Sequence, residues 1–258
     1  FAPELVPAID DLVAMASWDW ERGWNAFRDF VREMRSRSAT IDDYHRHARL
    51  MRGLSRLRDD GADQILDLLK GRYRGNERDL MQWADPLLVE LAGRMRINEA
   101  IPLIIDRISE AKEVVIDECG SALARIGGDD VVRAIADEWW DADGEFRELT
   151  PYALEHIHTD LSAQTCLEFL EAEDDFEIAL MLGNAVLSHF TVGHIDAVRE
   201  LVEGPDDELE PDQWDLRYKL VATATITGER FSEYDERHAD AVETNYGWGE
   251  HDRPRISE

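Results

Sequence analysis

The eight histidines are the residues best suited to hold a metal or move a proton near neutral pH. His45 and His47 flank Arg46, and His156 and His158 flank Ile157. A structural zinc site needs about four side chains converging on one ion. Residues two apart on a helix point about 200° from each other, so as helical pairs neither grips an ion. His189 and His194 lie five apart across an expected turn. The spacing predicts surface histidines, some favourably placed at helix C-termini, with no metal and no other cofactor.

The remaining chemistry-bearing residues are as sparse. Cys119 and Cys166 are the only cysteines and form no C-x-x-C pair. They are expected to be small buried residues of a chain kept in a reducing, cytoplasmic setting. The acid runs Glu171 to Asp175 and Asp206 to Glu210 lack the ligand order and central glycine of a calcium loop. Trp139-Trp140 stands beside Asp137 and Asp141, an arrangement that could place an aromatic next to a carboxylate. Trp139 falls on an apolar stripe and is expected in the core, with Trp140 just off it. No Ser-His-Asp spacing, phosphate-binding loop or H-E-x-x-H is present, and no catalytic residue is assigned.

Charge is the strongest compositional signal. The formal net charge is −29. Residues 1–128 carry 23 acids and 19 bases, whereas residues 129–258 carry 34 acids and 9 bases, a net of −25. Ten arginines cluster between Arg22 and Arg58 against four acids. Salt adaptation would coat both halves alike, so the asymmetry points to recognition. A half this acidic repels duplex DNA, so nucleic acid is excluded as its partner. No apolar run approaches the roughly 18 residues that span a bilayer, and no signal-peptide pattern opens the chain. Its first residue is Phe1, from which we expect a piece of a longer natural chain.

The elements that would position these residues are helical almost throughout. From Lys112 to Ile126, Val115, Cys119, Ala122 and Ile126 recur at helical spacing, widened by Ile116 and Leu123. Gly127 and Gly128 supply a stop, and Asp129 can cap the next helix. There Val132, Ile135, Ala136 and Trp139 repeat the stripe. This helical hairpin has a counterpart 31 residues earlier, where Asn98 to Leu103 matches Asp129 to Ala134. Looser echoes near Ala62, Ser162 and His194 each follow a short polar turn, giving a spacing of roughly 31 to 36 residues. Turns are therefore expected near 59–61, 96–98, 127–129, 159–161 and 191–193, with longer ones at 72–77, 141–145 and 203–211. Pro86 and Pro151 are expected at first helical positions behind Asp85 and Thr150, and Pro102 in a first turn.

Ala122 to Gly127 followed by Asp129 to Val132, with Asn98 to Ile104, resembles the core of HEAT-like repeats of the type found in phycobilin lyases. The resemblance covers residues 86–140; elsewhere only period and polarity agree. The family's usual arginine after the first-helix valine is replaced by Ile116. The resemblance implies an α-solenoid and leaves activity open. Deoxyhypusine hydroxylase, a HEAT-like enzyme, holds iron through His-Glu dipeptides, and this sequence has none. HEAT-like DNA glycosylases need a basic concave face, which the acidic half does not offer.

These observations predict an all-α solenoid of about five to seven stacked antiparallel hairpins forming a curved rod. Residues 1–58 are expected as atypical capping helices, 59–228 as the repeat array, and 229–258 as a polar helix and tail. The concave side is expected to expose Arg133, Asp137, Trp140, Glu168, Glu171, Arg199 and Glu203. The function expected is a non-catalytic scaffold for protein–protein interaction whose acidic half docks a basic protein or segment. A sharper form is an inhibitor that covers a basic, nucleic-acid-binding site. The alternatives are an enzyme assembled from several hairpins, or a chromophore-handling protein like the phycobilin lyases. Membrane is not expected as a partner. Weak self-association would follow from the basic window meeting the acidic half of a second copy.

Overall fold

The structure, a computed structural model, describes residues 9, 13–73, 77–110, 113–203 and 210–243, with the side chains of all of these except 109, 110, 113–116 and 243. The stripe positions Val115 and Ile116, most of the turn at 203–211 and the tail from Asn245 lie outside that description. Among the described residues the fold is all-α, without a strand. None of the helices there is long and apolar enough to cross a membrane. The chain divides into two compact units, Phe1–Ala153 and Leu154–Glu258.

Unit 1 begins with α1 (Trp20–Ser36), capped by Asp19, whose carboxylate accepts from the Arg22 amide at 2.8 Å. Trp24, Phe27, Phe30 and Val31 put one face of α1 into the core. α2 (Ile41–Ser55) follows and packs against it. Next come α3 (Arg58–Leu69), the short α4 (Arg78–Trp83), α5 (Asp85–Met95), α6 (Ile101–Glu110), α7 (Glu113–Ile126) and α8 (Asp129–Trp139). α9 (Gly144–Glu155) closes the unit, and the division falls in its last turn. Helices two apart in sequence pack together: α3 with α5, α5 with α7, and α6 with α8. The stripe on α8 is buried as its period requires, with Val132 and Ile135 fully enclosed and Trp139 2% exposed. Trp140 is 63% exposed.

Unit 2 contains α10 (Asp160–Ala172), α11 (Phe176–Ser188), the single-turn α12 (Ile195–Arg199), α13 (Pro211–Thr227) and α14 (Tyr234–Glu243). Thr159 caps α10 and Asp175 caps α11 through side-chain oxygens. α11 packs against α10 and α13, and Phe169, Leu182, Val186, Val198, Leu216 and Leu220 fill the core between these helices.

Three local expectations are corrected. Residues 59–61 form no turn; they lie in the first turn of α3. There Asp59 and Asp60 favour the positive end of the helix. Gly61 is required by packing, since a Cβ on it would stand 2.3 Å from the Trp20 ring. Pro151 does not open a helix but sits inside α9, while the Thr150 hydroxyl donates back to the Phe146 carbonyl at 2.9 Å. Gly127 (φ 68°) and Gly128 (φ 80°) do end α7 in the left-handed region, but Gly128 is the residue that precedes α8. Asp129 is already helical and pairs with Arg133.

Candidate functional site

In unit 1, Arg133 and Asp137 on α8 are exposed, with Trp140 immediately after it. Arg133 turns back to its own helix, meeting Asp130 at 3.0 Å and Asp129 at 3.5 Å. Its cation therefore neutralises the acids at the start of α8 and projects little charge beyond them.

In unit 2, Glu168 and Glu171 are exposed on α10. Glu168 accepts from the Gln164 amide at 2.7 Å. Arg199 and Glu203 are brought together at 3.2 Å, and Arg199 also reaches Glu233 at 3.1 Å. These two predicted residues thus belong to an internal charge cluster with Glu233. Around Glu168 the setting differs. From Glu148 to Val198 the chain has no lysine or arginine. Glu168, Glu171, Asp174, Asp175 and Glu177 are all exposed. Glu168 and Glu171 occupy the C-terminal half of α10, where the helix carbonyls already present negative potential. Phe176 (48% exposed) and Met181 (41%) on α11 are exposed apolar residues.

Sequence reasoning missed a groove in unit 1. Phe30 and Met34 of α1, Tyr44 and His47 of α2, Trp83 of α4 and Leu87 of α5 line about 690 Å³ of open space. Tyr44 and Trp83 are exposed. At one edge, Arg37 donates two bonds to buried Asp43, at 2.7 and 2.8 Å, and Thr40 donates two more. The Arg37 guanidinium, then Thr40, hold the Asp43 carboxyl far below its usual range. At the other edge His47 Nε2 stands 2.7 Å from an oxygen of Glu90, whose second oxygen accepts from Arg94 at 2.6 Å. Burial acts to raise Glu90, but His47 and Arg94 outweigh it and hold it below its ordinary value. Glu118 shifts the other way: burial raises it, the nearby Glu90 charge adds to the rise, and the 2.7 Å bond from Arg125 only partly compensates. No motif announces this groove, because its walls come from four helices spread over nearly 60 residues.

The cysteines offer no nucleophile. Burial pushes both Cys119 and Cys166 up to about 12, so neither forms a thiolate near neutral pH. Cys166 Sγ lies 3.9 Å from His189 Nε2, and burial, then the His158 charge, lowers the His189 imidazole. Among the described residues no three His, Cys, Asp or Glu side chains converge as a metal would require. The basic window is partly neutralised at home: Arg28 pairs with Glu77, Arg32 with Asp29, and Arg37 and Arg46 with Glu33. Compared with known proteins, the chain matches no family model, no curated protein and no solved structure.

Proposed function

We propose that the chain is a non-catalytic protein-recognition module of stacked HEAT-like hairpins that docks a basic segment of a partner on the acidic face of α10 and the start of α11. The observation that carries this reading is the 51-residue stretch from Glu148 to Val198 without a lysine or arginine, with five exposed carboxylates between Glu168 and Glu177. Carboxylates at the C-terminal end of a helix repel its dipole and each other. A cationic partner relieves both terms, which gives the surface electrostatic selectivity and a fast encounter. Phe176 and Met181 supply apolar contacts of the kind that anchor interfaces. The packing of α3 on α5, α5 on α7 and α6 on α8 supports the stacked-hairpin part of the reading. A partner whose basic surface binds nucleic acid would be inhibited by the same contact. The test is to titrate an arginine-rich peptide into isotopically labelled full chain and map the amide shifts. They should centre on residues 168–181; shifts centred elsewhere, or none at low salt, contradict the proposal.

A second reading rests on the groove. About 690 Å³ walled by Phe30, Tyr44 and Trp83 is the size and character of a small-molecule site. That favours, as the alternative, a protein that holds an apolar, planar ligand, in keeping with a chromophore-handling role.

A further inference from the structure

Unit 2 contains a second, smaller cavity of about 370 Å³ whose chemistry is unlike the acidic face. Its polar wall joins three helices: Glu155 at the end of α9, Ser188 at the end of α11 and Lys219 on α13. Lys219 Nζ donates to Glu155 Oε1 at 2.8 Å, and the Ser188 hydroxyl donates to the same oxygen at 2.7 Å. Lys219 is the only lysine after Lys112, and it is directed into this space. An ammonium has three donors, so the bond to Glu155 leaves capacity for a second acceptor. His156 and His158 line the same cavity. α9 ends at Glu155, so the helical rule that separates residues two apart does not govern this pair. Apolar lining comes from Phe190 and from Ala222 and Ile226, which follow Lys219 along the same face of α13.

Phe190 supplies an independent observation. Its φ is 51°, in the left-handed region that glycine occupies without strain. The position closes α11, where glycine or asparagine is the cheaper choice. The chain instead holds a half-exposed aromatic ring there, against the cavity. Strained backbone of this kind clusters at ligand-binding and active sites.

We infer that this cavity binds a small organic monoanion, a carboxylate with an apolar body, through Lys219 with His156 and His158, its body lying against Phe190 and Ile226. Lys219 and Glu155 together carry no net charge, so a dianion would be repelled more strongly by the Glu155 carboxylate than a monoanion, which needs only the donor capacity that the ammonium has left. Ser188 is a positioning group here: its hydroxyl donates to the Glu155 oxygen that Lys219 also holds.

The experiment uses benzoate as the probe, with benzyl alcohol and benzylamine as neutral and cationic controls, titrated into the full chain by calorimetry. Benzoate should bind at least about tenfold tighter than either control, tenfold being 1.4 kcal/mol. Lys219→Met should lose that preference about tenfold, while Glu155→Gln should strengthen benzoate binding severalfold by removing the competing charge. Phe190→Gly should raise the melting temperature and weaken benzoate, a pairing that a purely structural residue would not produce. Benzoate binding no tighter than benzyl alcohol, tighter binding of benzylamine, or benzoate binding unchanged in folded Lys219→Met and Phe190→Gly would each overturn the inference.

Discussion

One set of carboxylates in unit 1 and another in unit 2 are handled in opposite ways. Those in unit 1 are matched locally. Asp43 is held by Arg37 and Thr40, Glu90 by His47 and Arg94, and Asp85 by Arg107 at 3.0 and 3.1 Å. Those bonds tie α1 to α2, α2 to α5 and α5 to α6, so the charges are part of what aligns the helices. In unit 2 the acids from Glu168 to Glu177 face water on a stretch of chain that contains no fixed cation. A paired and buried charge specifies packing, whereas exposed carboxylates such as Glu168 and Glu171, with no cation on their own stretch of chain, contribute little to stability. The first set serves architecture, and the second is the set we propose for recognition.

The largest effect should come from the core that both arrangements depend on. Ile135 is fully buried on α8, and Ile135→Ala should cost about 2–5 kcal/mol. If the helices stack as repeats, hydrogen exchange should show the loss in α6 to α8 first, because each repeat then leans mainly on its neighbours. Equal loss of protection throughout the chain would show that the hairpins do not behave as a stack. Glu90→Ala comes next. It strands His47 and Arg94 beside a buried void and should cost about 3 kcal/mol by denaturant unfolding. Glu168→Ala, by contrast, should change stability by no more than about 0.5 kcal/mol. Similar costs at the two glutamates would erase the distinction between the units.

Smaller, but more specific, is the pH dependence inside unit 1. Glu90 is held below its ordinary value in the folded state. Its contribution is therefore present above the unfolded value and lost as pH falls through the folded one. Glu118 is raised, so its contribution is present below the unfolded value and lost as pH rises through the folded one. Glu90→Gln should thus lower the melting temperature more near pH 7 than near pH 3. Glu118→Gln should look better, relative to the parent, near pH 7 than near pH 4. Parallel trends in the two variants would mean that the shared network has been misassigned.

The stripes on α7 and α8 were legible because burial on one helical face imposes a 3.6-residue period. Ile126, Val132, Ile135 and Trp139 all lie inside, and Trp140, one step off the stripe, lies outside. Residues 59–61 were misread because an Asp-Asp-Gly run has the composition of both a turn and a helix start; the indole of Trp20, 41 positions away, decides it. Pro151 was misread for a related reason, since a threonine before a proline resembles a cap until α9 is seen to begin at Gly144. Among the expected site residues, Glu168 and Glu171 are exposed as their acidity suggested; Arg199 meets Glu203 four positions on, at a spacing visible in the sequence, whereas its second partner, Glu233, lies 34 positions away. The groove and the Lys219 cavity stayed hidden for the same reason. Their residues come from separate helices and meet only when those helices pack.

We propose the exposed acids of α10 and the α11 start as a recognition surface. Its most direct test is the association rate of an arginine-rich peptide with the full chain, measured by stopped flow from low to high salt, for the parent and for the Glu168→Lys, Glu171→Lys double variant. Exposed charges are screened over about 10 Å at 0.1 M salt, so the parent rate should fall steeply as salt rises. The reversal should slow association several-fold at low salt while leaving the melting temperature unchanged. A rate that is the same at every salt concentration, or that ignores the reversal, would contradict the account and move the search for the partner surface to the Phe30, Tyr44 and Trp83 groove.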